Sequence, residues 1–210
     1  MGVGPHALKL MIALIDYKAG NLTSVRKAFG ALGANLYDPA APKDLDRADA
    51  IVVPGVGHFG ATAALDRPWM DAIRGRVAAG RPLLGICLGL QWLFGGSSEA
   101  PDQPGLGLLA GTCYRLPGGD GLKIPHVGWN SLSITHDAPI VRGVASGSQV
   151  YFTHSFVAPV TVDTVAVTEH GEPFAAIVQR DNIAGVQFHP EKSGDTGLQI
   201  LRNFIDSAAR

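Results

Sequence analysis

Leu84-Gly85-Ile86-Cys87-Leu88-Gly89-Leu90-Gln91 sets a cysteine where an apolar run meets a helical pattern, with a glycine two residues away on either side. Pro82 to Ile86 has the unbroken apolar character of a strand buried on both faces, and Leu88 to Phe94 takes helical spacing. A strand that passes straight into a helix leaves the residue between them on a sharp turn, the geometry of a nucleophile elbow, here with cysteine in place of serine. Side chains at the flanking positions would collide, so glycine at 85 and 89 is a steric requirement and the cysteine is held in a strained conformation. The first amides of the helix face the sulfur, and the Leu88 N–H can donate to an oxyanion. The competing reading of a lone cysteine is a small buried hydrophobe. The paired glycines at a strand-to-helix boundary favour the nucleophile, whereas Cys113 lacks such a setting and reads as structural.

Outward from the elbow, the N-terminal half alternates strands and helices. Leu10 to Ile15 reads as a buried strand closed by Asp16, and a helix from Asn21 carries Leu22, Val25, Phe29 and Leu32 until Gly33 stops it. Asn35 to Tyr37 and Ala50 to Val53 predict two more strands, the second ended by Pro54, and Pro68 to Ala79 predicts a helix with Trp69, Ile73 and Val77 on one face. Beyond residue 95 short strands dominate, at 150–153, 162–167, 175–178 and 183–188, before a closing helix over 194–208. No repeat or linker interrupts this order. The expected fold is α/β, a single domain over residues 10–210 with a central mixed, mostly parallel sheet flanked by helices. Residues 1–9 read as an N-terminal extension or a start-site artefact.

The 210 residues are 46% hydrophobic and 17% charged, with a net charge of −1, which excludes disorder and argues against an electrostatic grip on nucleic acid or an anionic membrane. No apolar stretch approaches the ~20 residues of a membrane span, nothing resembles a secretory signal, and two cysteines cannot build a disulfide framework. The expectation is a soluble protein of the reducing cytoplasm.

A thiol nucleophile wants an imidazole, and the imidazole wants a group that orients it. Of seven histidines (6, 58, 126, 136, 154, 170 and 189), His189 stands out. It follows the strand pattern Ile183 to Phe188 and precedes Pro190-Glu191, so it sits at a strand end, where open α/β sheets place their sites. Glu191 can reach back to its Nδ1 and leave Nε2 facing a thiol. Pro54-Gly55-Val56-Gly57-His58-Phe59-Gly60 contains a formal G-x-G-x-x-G, yet it does not follow the first strand, and no acidic residue ends a following strand at the right distance. Beside an elbow, Gly55 and Gly57 suit the second half of an oxyanion hole; for His58 and Phe59 a plain surface turn competes. No second Cys or His stands at ligand spacing, so no metal site is expected, and no cofactor is called for.

Together, Pro54-Gly55-Val56-Gly57, Gly85-Ile86-Cys87-Leu88-Gly89-Leu90-Gln91 and His189-Pro190-Glu191 resemble the signature of the triad, or class I, glutamine amidotransferases. Five further stretches are similar to the branch that forms glutaminase subunits of imidazole glycerol phosphate synthase: Ile15 to Leu22, His58-Phe59-Gly60, Pro125 to Asn130, Tyr151 to Phe156, and Glu191-Lys192-Ser193. The likeness spans nearly the whole chain from about Lys9. It implies Cys87, His189 and Glu191 as catalytic residues. It also implies an oxyanion hole from Leu88 and the Gly55-Val56-Gly57 loop, and glutamine binding by Gln91 and His154-Ser155-Phe156. It further implies delivery of ammonia to a barrel-shaped cyclase subunit in a heterodimer of histidine biosynthesis. Asn21, Trp129, Tyr151 and Lys192 would face that partner; from the residues alone, Trp129 and Tyr151 equally suit a core and Lys192 a solvated charge.

Three other readings use the same residues. An amidotransferase component of another synthase keeps the chemistry, but the Pro125 to Asn130 segment argues against it. A cysteine peptidase or hydrolase on the same fold would need a groove for extended substrate. A regulatory module with a dead site conflicts with an intact Cys87, His189 and Glu191.

Overall fold

Apolar runs with no polar face can only be satisfied in the middle of a sheet covered on both sides, and the chain arranges them so. In the computed structural model, which describes residues 10–119 and 121–209, β1 (Met11–Leu14), β3 (Ala50–Gly55) and β4 (Leu83–Cys87) are buried almost throughout, and β2 (Asn35–Tyr37) is a half-buried edge. Between them lie α1 (Leu22–Ala31), capped by Asn21, and α2 (Arg67–Ala78), capped by Asp66; α3 (Leu88–Trp92) follows β4 directly. The C-terminal half adds β5 (Tyr114–Arg115), β6 (His126–Ser131), β7 (Ser133–Ile134), β8 (Gln149–His154), β9 (Phe156–Val157), β10 (Thr164–His170), β11 (Glu172–Arg180), β12 (Ile183–Val186) and α4 (Gly194–Ala208).

Eight strands form one sheet in the order β2-β1-β3-β4-β12-β11-β10-β7, parallel from β2 to β12 and antiparallel from there to β7. β12 therefore inserts beside β4, pairing Val186 with Ile86. One core lies between the sheet and α1 and α4, built around Phe29, Phe152, Phe174, Phe188, Leu201 and Phe204. The other face is covered by α2 and α3 through Ile73, Val77, Leu90 and Trp92. Each fully buried large side chain contributes roughly 1.5–3 kcal/mol, which makes the two layers the main support of the sheet. This is the expected α/β architecture, mixed and mostly parallel.

Some boundaries differ from the sequence reading, each for a local reason. Pro54 does not end β3. Val52 gives its carbonyl to Ile15 on the β1 side, so Pro54, of the same parity, turns its missing N–H to where β1 has already ended, while the strand continues beside β4 to Gly55↔Cys87. β10 starts at Thr164 rather than 162, because a Thr161–Thr164 turn precedes it. α3 stops at Trp92 and β12 at Val186. β6 and β8 pair as a separate ribbon, and the sequence reading did not assign β6 as a strand. Among the described residues no helix is long and apolar enough to cross a membrane. The extension assigned to residues 1–9, with His6, lies outside the described residues.

Candidate active site

Cys87 is the last residue of β4 and caps α3 with φ 54° and ψ −107°, a conformation that L-residues avoid. The flanking glycines permit it. A Cβ on Gly85 would come within 2.6 Å of the Gly89 carbonyl, and one on Gly89 would run into the Val53 carbonyl of β3. Neither obstacle is a side chain that could swing aside. α3 has only five residues, so what it offers the sulfur is chiefly its first free amides rather than a long dipole.

His189 arrives from the neighbouring strand. Its ring Nδ1 lies 2.9 Å from Glu191 Oε1, and both side chains are buried. Its Nε2 is buried and makes no hydrogen bond. Burial alone would discharge the imidazole, but the Glu191 carboxylate bonded to it and the nearby Cys87 sulfur outweigh burial and raise His189 to about 10. The backbone of the histidine is clamped as well: its N–H donates to the Tyr151 carbonyl at 2.9 Å, and its carbonyl accepts from Ser193 Oγ at 2.6 Å.

A cavity of about 220 Å³ opens over the sulfur, lined by Gly57, Cys87, Leu88, Gln91, Glu99, Thr153, His154, Ser155 and Phe156 among others. That volume suits one amino acid; sites for drug-sized ligands start at about 300 Å³. Every residue expected to bind substrate from the 88–91 and 154–156 segments is on its wall. The 55–57 loop behaves less uniformly. Gly57, with φ +96°, lines the cavity, whereas the Val56 N–H, expected to face the oxyanion, donates instead to the Ala19 carbonyl at 2.9 Å. Gly55 ends β3 under the Tyr17 hydroxyl, opposite Cys87 in register. Cys113 is fully buried and donates to the Gln91 carbonyl; burial pushes its thiol up, in keeping with a structural role.

Behind the 154–156 wall lies a stack of histidines. His126 Nδ1 is 3.1 Å from His154 Nε2, and the His126 ring lies between Phe152 and His170. Burial, reinforced by the neighbouring rings, lowers His126 to about 4 and His154 to about 3, so both are neutral at pH 7. On the opposite, exposed side of the β6–β8 ribbon, Trp129 (56% exposed) meets Tyr151 edge-on at 6.1 Å, and Lys192 Nζ sits 5.7 Å from the Tyr151 ring. The structure thus brings three of the four residues assigned to a partner surface together. Asn21, the fourth, is exposed, and its side chain caps α1 through Ser24.

Two residues on or behind the pocket carried no sequence signal. Glu99 lines the cavity and accepts from the Phe59 N–H at 2.7 Å, tying the glycine loop to the 97–99 segment. Gln187 lies beneath the elbow. Among the described residues no group of three His, Cys, Asp or Glu could hold a metal.

The family model described as glutamine amidotransferase class-I matches residues 13–208. A protein of Gloeobacter violaceus named imidazole glycerol phosphate synthase subunit HisH is 52% identical over 204 residues, covering 94% of this chain and 90% of that one. Its namesake in Methanothermobacter thermautotrophicus is 45% identical, with 93% and 98% covered. A crystal structure titled glutamine amidotransferase superposes with a TM-score of 0.74 at 22% identity, over 94% of this chain and 99% of that one, which speaks for the fold.

Proposed function

Since the chain belongs to the class-I glutamine amidotransferases, we propose that it is the glutaminase subunit of an imidazole glycerol phosphate synthase, working through a Cys87-His189-Glu191 triad. The observation that carries the reading is a strained cysteine on the wall of a pocket sized for one amino acid, at the end of a strand whose neighbour leads into a carboxylate-held imidazole.

In this reading the Cys87 sulfur attacks the side-chain amide carbon of glutamine, and the tetrahedral oxyanion is met by the Leu88 and Gly57 amides. His189 takes the thiol proton, is held in the charged form at neutral pH, and gives that proton to the departing nitrogen, so that the C–N bond breaks and ammonia leaves. Water then adds to the thioester carbon, His189 takes its proton, the C–S bond breaks with its electron pair on sulfur, and glutamate departs. Gln91, Glu99 and the 154–156 segment hold the amino-acid end of the substrate. Donation of the Val56 N–H to Ala19 leaves the oxyanion hole short of one loop amide, which suits an enzyme that turns over slowly until a partner rearranges the loop.

The partner is a cyclase subunit docked on the Trp129–Tyr151–Lys192 face, forming a heterodimer that receives the ammonia within histidine biosynthesis. The catalytic unit is residues 10–210, no cofactor takes part, and the free thiols Cys87 and Cys113 suit the cytoplasm. A peptidase reading fares worse, because an extended peptide needs more room than 220 Å³.

The test is glutamine hydrolysis by the purified chain, alone and with the cyclase and its nucleotide ligand. Hydrolysis should rise strongly with both present. Cys87→Ala should abolish it while the complex still makes product from added ammonia. Full hydrolysis by Cys87→Ala would overturn the mechanism, and ammonia transfer only to a different synthase would overturn the pathway.

A further inference from the structure

Gln187 is wholly buried just beyond β12. Because Val186 pairs with Ile86, the next residue on each strand brings Gln187 alongside Cys87. Its backbone N–H donates to the Ala176 carbonyl at 2.9 Å, which fixes the side chain's point of departure. The amide then makes two contacts: one end lies 3.6 Å from Cys87 Sγ, the other 3.2 Å from Gln91 Nε2.

Which end faces the sulfur follows from the neighbours. Gln91 Nε2 is 2.8 Å from the Phe156 carbonyl, an atom that can only accept, so this end of Gln91 must be the donor. A donor at Gln91 demands an acceptor at Gln187, which places Gln187 Oε1 there and turns Nε2 toward Cys87. The Phe156 carbonyl therefore orients two side-chain amides in succession. The last of them offers an N–H to the reacting sulfur.

We propose that Gln187 is a further catalytic residue, donating to the Cys87 sulfur, and that its carbonyl positions Gln91 to present Oε1 to substrate. This rests on Cys87 being the nucleophile. Negative charge gathers on the sulfur as its proton passes to His189 and again when the C–S bond of the thioester breaks; a fixed donor stabilises it at both points without moving.

The test is alkylation of Cys87 by iodoacetamide at pH 7 in the intact protein without glutamine, read by mass spectrometry of the Cys87 peptide, together with glutamine turnover in the presence of the cyclase. Gln187→Met keeps the shape and removes both hydrogen bonds; Gln187→Asn keeps an amide too short to reach the sulfur. Both should alkylate about fivefold more slowly, as loss of a hydrogen bond to a charged atom predicts, with kcat down about tenfold and the KM for glutamine raised. Alkylation at the parental rate or faster in whichever variant keeps the parental melting temperature would overturn the proposal, since a mere packing role loosens the elbow and exposes the thiol. The premise fails separately: it falls if Cys87→Ala still hydrolyses glutamine.

Discussion

His189 holds its charge against burial because the Glu191 carboxylate is bonded to its ring and the Cys87 sulfur lies near enough to favour the charged form. Its pKa is raised above the ordinary 6.5 to about 10, so it adds stability that is fully present below pH 6.5 and is lost as pH climbs through about 10. Glu191→Gln removes the charge but keeps an acceptor. The variant should lose about 10²-fold in kcat for glutamine hydrolysis, and its melting temperature should fall less steeply between pH 7 and 10 than the parent's. Steady-state kinetics and a pH series of thermal melts check the two halves. At this scale the sequence was informative where chemistry and backbone geometry coincide: the glycines at 85 and 89 announce the strain on Cys87, and a carboxylate two residues after a histidine announces its anchor. Gln187 and Glu99 gave no such notice, because a glutamine or glutamate acquires meaning only from what lies across from it. For Gln187 that is a residue one hundred positions away.

The β6–β8 ribbon has two faces with opposite duties. Inward it presents His126, Phe152 and His154 to the pocket wall, and outward Trp129 and Tyr151. The inward histidines are buried without charge, with pKa values lowered from 6.5 to about 4 and about 3, so the unfolded chain takes up protons first as the medium is acidified. Their contribution to stability is present above pH 6.5 and disappears as pH falls toward 4. The melting temperature should drop by several degrees between pH 7 and pH 5, since each histidine adds up to about 1.4 kcal/mol per pH unit. His126→Phe, which keeps the stacking, should make the decline shallower; calorimetry at three pH values would show it. The ribbon was hard to read beforehand. Its exposed Val127 and Trp129 alternate with partly buried Gly128 and Asn130, a weak pattern at a sheet margin, whereas β1, β3 and β4 announce themselves by unbroken apolar runs. Pro54 misled for the complementary reason: whether a proline ends a strand depends on which neighbour it faces, and sequence does not show the neighbour.

At the scale of the molecule, the sheet places Cys87 and His189 at one end of adjacent strands, with the exposed Trp129–Tyr151 pair on a ribbon bonded to the His189 turn. The Tyr151 carbonyl accepts from the His189 N–H, and the Tyr151 N–H donates to Ser193 Oγ, so the outward aromatic and the catalytic turn share one rigid backbone connection. Trp129→Ala should weaken cyclase binding by about 2 kcal/mol, the ordinary cost of removing a central aromatic anchor. The melting temperature of the isolated chain should change little, because the ring is largely exposed. Titration calorimetry of the complex measures the first, and a thermal melt the second. The class of this architecture was legible from the alternation of strands and helices. The strand order was not: periodicity places a residue on a face, but only packing decides that the last strand enters beside β4.

That late insertion matters while the protein is being made. β4, with Cys87 at its end, leaves the ribosome first, and β12 and His189 follow only after about a hundred further residues, some 5–20 s later at ordinary elongation rates. Until then Cys87 lacks its neighbouring histidine, and the flank of β4 that β12 will join stays open to any strand that comes near. One segment closes the sheet and brings His189 to Cys87 in the same event, so under the proposed mechanism glutamine hydrolysis starts only once that edge of β4 is sealed.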